Sequence, residues 1–374
     1  MPAKDFNRRR LFDAMGAAGI DAVVASSPWN ITYTGGAYLE IPQVTYLVTT
    51  SDGRQALVIN EADAYYMRGS SSAKDLRIYR FGPTAAAEAE NAVRLLTEVL
   101  TEFGLAKGKI GIEDDFLPAS QQRRAEEMLP GASFVSGSDV FDEARLIKLP
   151  WEVELFRNAA FQTEKAIMTA FAMARVGDTE QALAASMQAL VLRAGAQTLT
   201  HTVCSSGLQG TVVHAMPLPN PINPGEAVHV DFGARFDGYS TDLSRTAIVG
   251  KPTERQRFIH QALWDARAAI LDKVRPGTPV KDLYDTNTAA LAKVGLSNPW
   301  STVGHSTGLR EHEGFDITTS TTRVLEPGMI INIEPTHIEV GEGRYHIEDS
   351  IHITETGYEV LSDFYNSNEM FVIR

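Results

Sequence analysis

Between Pro224 and Thr246 the chain alternates. Val228, Val230 and Phe232 take turns with His229, Asp231 and Gly233, the period of a strand with one apolar face. Pro224-Gly225 ahead of it is a turn signal, and Asp237-Gly238 behind it predicts a tight hairpin. Tyr239 to Thr246 then reads as the returning strand. A later stretch follows the same plan. Pro327-Gly328 leads into Met329-Ile330-Ile331-Asn332-Ile333-Glu334, and Tyr345 to Ile353 reads as a second strand whose isoleucines alternate with Glu348. Glu334 stands six residues after Gly328, as Asp231 stands six after Gly225.

The correspondence extends upstream at an offset of one hundred. Arg175, Gly177, Leu183, Ala189 and Gly195 recur as Arg275, Gly277, Leu283, Ala289 and Gly295. Each set reads as a helix end, a turn and a second amphipathic helix. Two similar helix–helix–strand halves follow, over about residues 150–250 and 255–360. Two units are too few for a solenoid, so they are expected to pack as a pseudo-symmetric pair with their acidic faces converging.

Ahead of these halves the periods change. A helix is predicted from Asp5 to Gly19, and a buried strand over Asp21 to Ala25. Ser26 to Gly36 reads as an exposed loop carrying Trp29 and Tyr33. Val44 to Thr49 and Gln55 to Ile59 are strands around the turn Ser51-Asp52-Gly53. Ala85 to Phe103 is an amphipathic helix, Lys109 to Glu113 a strand and Ala119 to Met128 another helix. Alternating strands and helices predict an α/β domain ending near Asp142. A long helix from Trp151 to about Ala174 opens the second part, so the expected domains are residues 1–142 and 143–374.

Composition narrows the function. The 374 residues are 44% hydrophobic, enough for full cores in two domains. The net charge of −13 argues against nucleic acid as a partner. A single cysteine, Cys204, excludes an intramolecular disulfide. No apolar run approaches membrane-spanning length and the first residues lack a signal core, so a cytoplasmic protein is expected. No glycine-rich phosphate loop follows a strand, which leaves nucleotide binding unsupported.

The candidate chemistry lies in the two strand pairs. Across a two-residue turn, Asp231 and Asp242 share a sheet face, directly opposite or diagonal, about 4.5–8 Å apart. Facing carboxylates suit either a solvated outer face or a divalent cation between them. Glu334 and Glu348 repeat the arrangement. His305, in the small-residue loop Gly304-His305-Ser306-Thr307-Gly308, offers a neutral ligand. His214 precedes the first hairpin and His312 follows His305. Each histidine alone reads as structural or merely exposed; beside four carboxylates on repeated strands they read as parts of one site.

The order Asp231, Asp242, His305, Glu334, Glu348, with His214 before and His312 between, resembles the pita-bread metallopeptidase family, which includes methionine aminopeptidase, aminopeptidase P, prolidase and creatinase. The resemblance covers the whole chain and implies an α+β fold: a pita-bread catalytic domain preceded by a smaller α/β domain of the creatinase type. It implies two divalent ions, with manganese favoured and iron, cobalt or zinc as alternatives. Asp231 would hold one, His305 and Glu334 the other, and Asp242 and Glu348 would bridge. It implies a hydrolase acting on Xaa-Pro dipeptides or short peptides through a hydroxide shared by the two ions. Glu334 would shuttle the proton, and His214 and His312 would bind substrate and the developing oxyanion or support the ligands from behind. By the same resemblance a homodimer is expected, with Trp29 and Tyr33 screening the site, although both residues read equally as core of their own domain.

Three positions depart from the peptidase pattern. Aminopeptidase P and prolidase usually have Gly-Ile or Gly-Val where this chain has Ser306-Thr307. They usually have Arg where it has His346, and Gly where it has Thr336. Histidine for arginine loses a fixed charge and a forked donor, so His346 is a candidate substrate contact with altered preference. A non-peptide C–N hydrolase like creatinase or ectoine hydrolase, or a dimethylsulfoniopropionate lyase, is the alternative on this fold.

Overall fold

The structure is a computed structural model that describes residues 6–38, 44–365 and 368–374. The chain divides into two compact units, Met1–Arg145 and Leu146–Arg374.

The first unit alternates as the sequence pattern predicts. Its helices are α1 Arg8–Ala18, α2 Pro28–Gly35, α3 Ala64–Ser70, α4 Ala85–Glu102, α5 Ala119–Met128 and α6 Ser138–Leu146. Its strands are β1 Ala22–Ala25, β2 Tyr46–Thr50, β3 Gln55–Asn60, β4 Asp75–Tyr79, β5 Lys109–Ile112 and β6 Ser133–Ser136. They form one mixed sheet in the order β4-β3-β2-β1-β5-β6. Val24, Val48, Val58 and Ile110 pack with Leu96 and Leu100 of α4 in its core. The expected cap Asp5 lies outside the described residues; the side chain of Asn7 accepts from Arg10 N instead.

The exposed loop expected over Ser26 to Gly36 is not observed: Pro28–Gly35 is helical. Ser27 caps it by accepting from Asn30 N at 3.2 Å, proline sits in the first turn, and Gly36 ends it in the left-handed region at φ 72°. The buried Glu113 carboxylate holds the helix start, accepting from Ser26 N, Ser27 N and Asn30 Nδ2. Tyr33 is buried, and its hydroxyl donates to Ala144 O at 2.7 Å. Trp29 lies half-buried, edge-on to Phe116 at 5.1 Å between ring centroids. Tyr33 therefore belongs to the packing of its own unit rather than to an exposed aromatic loop.

The second unit carries the repeat. Helices α7 Pro150–Met173 and α8 Glu180–Arg193 correspond to α9 Glu254–Leu271 and α10 Val280–Lys293. Gly177 and Gly277 turn between the paired helices at φ 90° and 84°. After α8 come β7 Thr198–Ser206, β8 Ala227–Phe236, β9 Tyr239–Ser240 and β10 Leu243–Val249. After α10 come β11 Gly304–Ser306, β12 Ile330–Ile333, β13 Thr336–Glu339, β14 Gly343–His346, β15 Asp349–Ile353, β16 Tyr358–Val360 and β17 Phe371–Ile373. The first half forms the sheet β10-β8-β7, which β17 extends beside β10, and the second forms the sheet β11-β12-β15-β16. Even the strand ends match: Gly225 N donates to Val249 O, and Gly328 N to Ile353 O, both at 2.8 Å.

Two expected strands are interrupted where the carboxylates stand. The return from the first hairpin pauses at Thr241-Asp242 between β9 and β10. The strand expected from Tyr345 to Ile353 breaks at Ile347-Glu348. There the backbone joins the two halves: Glu348 N donates to Ser244 O at 3.0 Å, and Arg245 Nη1 donates to Glu348 O at 2.7 Å. Arg245 is buried between Glu164 and Asp349, so a buried charge network fixes the backbone on which Glu348 stands.

Candidate metal centre

The site begins with sheet register. Asp231 on β8 pairs with Ser244 on β10, which puts Asp242 on the diagonal rather than directly opposite. In the second half, Ile333 pairs with Asp349, so Glu334 and Glu348 leave the ladder together just beyond its end. On β11, Gly304 has φ 149°, and a Cβ there would meet Asn332 O at 2.0 Å. Only glycine permits this approach, and it delivers the adjacent His305 to the carboxylates.

His305 Nε2 lies 3.6 Å from Asp242 Oδ2 and 3.5 Å from Glu348 Oε1. Asn332 Nδ2 donates to Glu348 Oε1 at 3.0 Å and to Asp242 O at 2.9 Å, and Ser350 Oγ donates to Asn332 Oδ1 at 2.9 Å. Ser244 Oγ donates to the other oxygen, Glu348 Oε2. These bonds orient the central pair, Asp242 and Glu348, which are both buried. Glu334 is half-buried, with Oε2 3.5 Å from His346 Nε2.

All five expected ligands line one cleft of about 900 Å³, together with His214, His312 and His346. That volume is in the range of small-molecule sites. His312 stacks on His305 with ring centroids 3.6 Å apart, and its Nδ1 meets Asp316 Oδ1 at 3.1 Å. His214 is exposed at the rim. His346 is buried and stacked on His229 at 5.4 Å. Trp29 and Tyr33 are not among the lining residues, which all fall between Thr200 and Glu348.

Three ionisable lining residues, His201, Glu311 and Arg344, were not expected from sequence. His201, on β7, places Nε2 3.0 Å from Asp231 Oδ1 and 3.2 Å from Asp242 Oδ1, while Nδ1 meets Glu311 Oε2 at 2.9 Å. It lies over Gly233, where a Cβ would come within 2.7 Å of the His201 ring. A carboxylate behind an imidazole that faces other carboxylates is the usual surrounding of a metal-binding histidine. Arg344, on β14, is the third. Its signal was present in the strand alternation, since Arg344 and His346 share a face; His201 sits among threonines in a strand with no carboxylate beside it in sequence.

The cluster requires positive charge. Burial lifts the Glu348 carboxyl well above the usual range, and Asp242, Asp231 and Glu334 lift it further. Burial works against a charged His305, yet Asp242 and Glu348 outweigh it and hold its imidazolium well above the usual range. His201 behaves likewise through Asp242, Asp231 and Glu311. Protons are thus drawn to the centre from both halves. The donor set fits divalent cations: carboxylate oxygens and imidazole nitrogens fall in four overlapping triads, each with ligand atoms within 4.8 Å of one another.

A duplicated strand pair that converges carboxylates and imidazoles on one cleft defines a metal-binding protein of the pita-bread fold. The chain belongs to metallopeptidase family M24: the family profile matches residues 154–355, and a creatinase/prolidase N-terminal domain profile matches residues 8–147. An uncharacterised peptidase of Bacillus subtilis is 25% identical over 359 residues, 94% of this chain and 96% of its own. The Xaa-Pro dipeptidase of Pyrococcus furiosus is 30% identical over 255 residues, 68% of this chain and 73% of its own. Among solved structures, the prolidase from Pyrococcus horikoshii superposes with a TM-score of 0.82 at 25% identity, covering 95% of this chain and 97% of its own.

Proposed function

We propose that this protein is a dinuclear metal-dependent hydrolase of Xaa-Pro amide bonds in dipeptides or short peptides. The observation that carries the reading is the convergence of four carboxylates and His305 on one wall of the cleft. The Xaa-Pro dipeptidase among the relatives supports the substrate class. Asp231 would hold one cation, His305 and Glu334 the other, and Asp242 and Glu348 would bridge. Manganese suits this donor set best, with iron, cobalt and zinc as competitors.

The chemistry such cations supply when bound is polarisation of the amide carbonyl and a lowered pKa for attacking water. The chain's own groups do the rest. Glu334, half-buried on the cleft wall, takes the proton from the attacking water and returns it to the leaving nitrogen. His312, with Nδ1 held by Asp316, turns Nε2 to the oxygen on which charge develops. His214 at the rim meets the substrate.

Two of the three departures from the peptidase pattern lie behind this wall. Ser306 Oγ donates to Glu313 O and Thr307 is fully buried, while Thr336 is also buried, with Oγ1 donating to Glu334 O at 3.0 Å. His346 reaches the cleft itself, which keeps a non-peptide C–N hydrolase, or a dimethylsulfoniopropionate lyase, as a second reading. Turnover of Ala-Pro, Gly-Pro-Leu, creatine and dimethylsulfoniopropionate with manganese discriminates: cleavage of Ala-Pro is expected, and cleavage of only a non-peptide overturns the peptide reading. His214→Ala and His312→Ala are expected to lose turnover on the order of a hundredfold with metal content retained; wild-type turnover in either removes that histidine from the mechanism.

A further inference from the structure

The function proposed above leaves one buried imidazole of the cleft without a task. His346 is 3% exposed and lines the cleft, yet its Nε2 has no hydrogen-bond partner. It faces Glu334 Oε2 at 3.5 Å, beyond the range of an N–H···O bond. The same spacing recurs at the expected ligand, where His305 Nε2 stands 3.6 Å from Asp242 Oδ2 and 3.5 Å from Glu348 Oε1. Two donors bound to one cation, each at about 2.1 Å, lie about 3–3.4 Å apart, so these separations are close to the edge of a coordination shell. His346, Glu334 and Glu348 offer ligand atoms within 4.8 Å of one another.

The first half of the repeat holds this ring in place. Thr246 pairs with His229 across the β8–β10 ladder and clamps the His346 backbone on both sides. His346 N donates to Thr246 Oγ1 at 3.0 Å, and that hydroxyl donates to His346 O at 3.2 Å. His346 Nδ1 meets Nε2 of the fully buried His229 at 3.3 Å. Burial keeps His229 neutral, so its Nε2 can accept the Nδ1–H of His346. His346 Nε2 then turns its lone pair toward the Glu334 carboxylate, which costs free energy unless a cation lies between them. An imidazole supported from its other ring nitrogen is oriented as a metal ligand is.

We propose that His346 is an additional nitrogen ligand of the centre, on the cation that His305 and Glu334 hold. The proposal rests on the dinuclear reading above. The arginine usual at this position in the peptidase pattern is always protonated and has no lone pair to give; histidine converts the position from a fixed charge to a donor. A second imidazole pulls this cation from manganese toward cobalt or zinc, relative to the five-residue set alone, because imidazole suits the softer cations and carboxylate the harder.

The test strips the full-length protein with chelator and titrates it with zinc and, separately, with manganese against a competing metal-binding dye. Wild type is expected to bind two ions of either metal. His346→Gln replaces the nitrogen donor by an amide oxygen that still suits a hard cation. Its zinc affinity at one of the two positions is expected to fall about ten- to hundredfold, and its manganese affinity by less, so that the zinc-to-manganese ratio drops about tenfold. His346→Ala removes the donor altogether and is expected to weaken both metals at that position. A packing role moves both metals alike, so an unchanged ratio in His346→Gln overturns the ligand while two ions in the wild type uphold the centre. A wild type that binds neither metal overturns both. If it binds one ion, the dinuclear reading fails and the ratio at that ion decides for His346. His346→Arg, with the same fall in ratio expected, carries the comparison if His346→Gln does not fold.

Discussion

Both halves of the second unit run helix, helix, strand and return, yet they furnish the cleft differently. In the first, Asp231 and Asp242 come from one hairpin closed by Asp237-Gly238. In the second, β13 and β14 are inserted between β12 and β15, so Glu334 and Glu348 flank an excursion. The imidazoles also arrive from opposite directions. Val203 pairs with Asp231, and Val303 O accepts from Glu334 N. His201 lies two residues before Val203, whereas His305 lies two after Val303. The repeat carries backbone and carboxylates; nitrogen donors are set separately in each half, and Arg344 stands on an insertion without a counterpart.

The sharpest way to break the comparison is to remove one carboxylate from each half. Asp242→Ala and Glu348→Ala are expected to be equally damaging, each taking activity to background and abolishing paired metal occupancy. A protein that keeps turnover after either change would show that the halves do not share one centre.

The join between the halves comes next. Arg245→Met leaves Glu164 and Asp349 buried without their shared partner. A loss of about 3–5 kcal/mol is expected from denaturant unfolding. Burial opposes ionisation of Asp349, but Arg245 and Arg267 outweigh it and hold its pKa at about 2. This group's contribution is present above the ordinary carboxylate pKa and lost as pH falls toward 2.

The two imidazoles can then be compared directly. His201→Ala is expected to lower metal affinity about ten- to hundredfold in equilibrium titration, with a smaller loss for Glu311→Gln. Unchanged affinity would leave His201 a hydrogen-bonding partner only, and the first half without its own nitrogen donor.

The smallest difference lies at the helix starts. Glu152 and Gln256 occupy the same position in α7 and α9, and their side chains accept from Leu149 N at 2.6 Å and Thr253 N at 2.9 Å. Burial lifts Glu152 to about 7 from 4.5. The folded chain therefore keeps a proton that the unfolded chain releases, and stability present below pH 4.5 is lost as pH rises through about 7. Glu152→Gln makes the halves alike and is expected to flatten that slope, worth on the order of 1–3 kcal/mol, in melts across this range. An unaltered slope assigns it to another group.

These contrasts also explain what could be read in advance. The repeat, the helix pairs and the positions of Asp231, Asp242, Glu334 and Glu348 were legible because period and turn signals act locally. The break at Ile347-Glu348 was not, because it depends on Ser244 and Arg245 far away in sequence. The helix at Pro28 was missed although its signals were local: Ser27, Pro28 and Gly36 mark both ends, but β-branched Ile31, Thr32 and Thr34 favour extended backbone. His201 was hidden because only the β7–β8 register sets it against Gly233 and Asp231. His346 was readable as a departure from the peptidase pattern, yet its unpartnered Nε2 facing Glu334 emerges only once the cleft is assembled.

Elemental analysis of protein purified without chelator tests the central claim most directly, that both halves furnish one dinuclear centre. Up to two divalent ions per chain are expected. A protein that stays metal-free after incubation with manganese, cobalt, iron and zinc would contradict it.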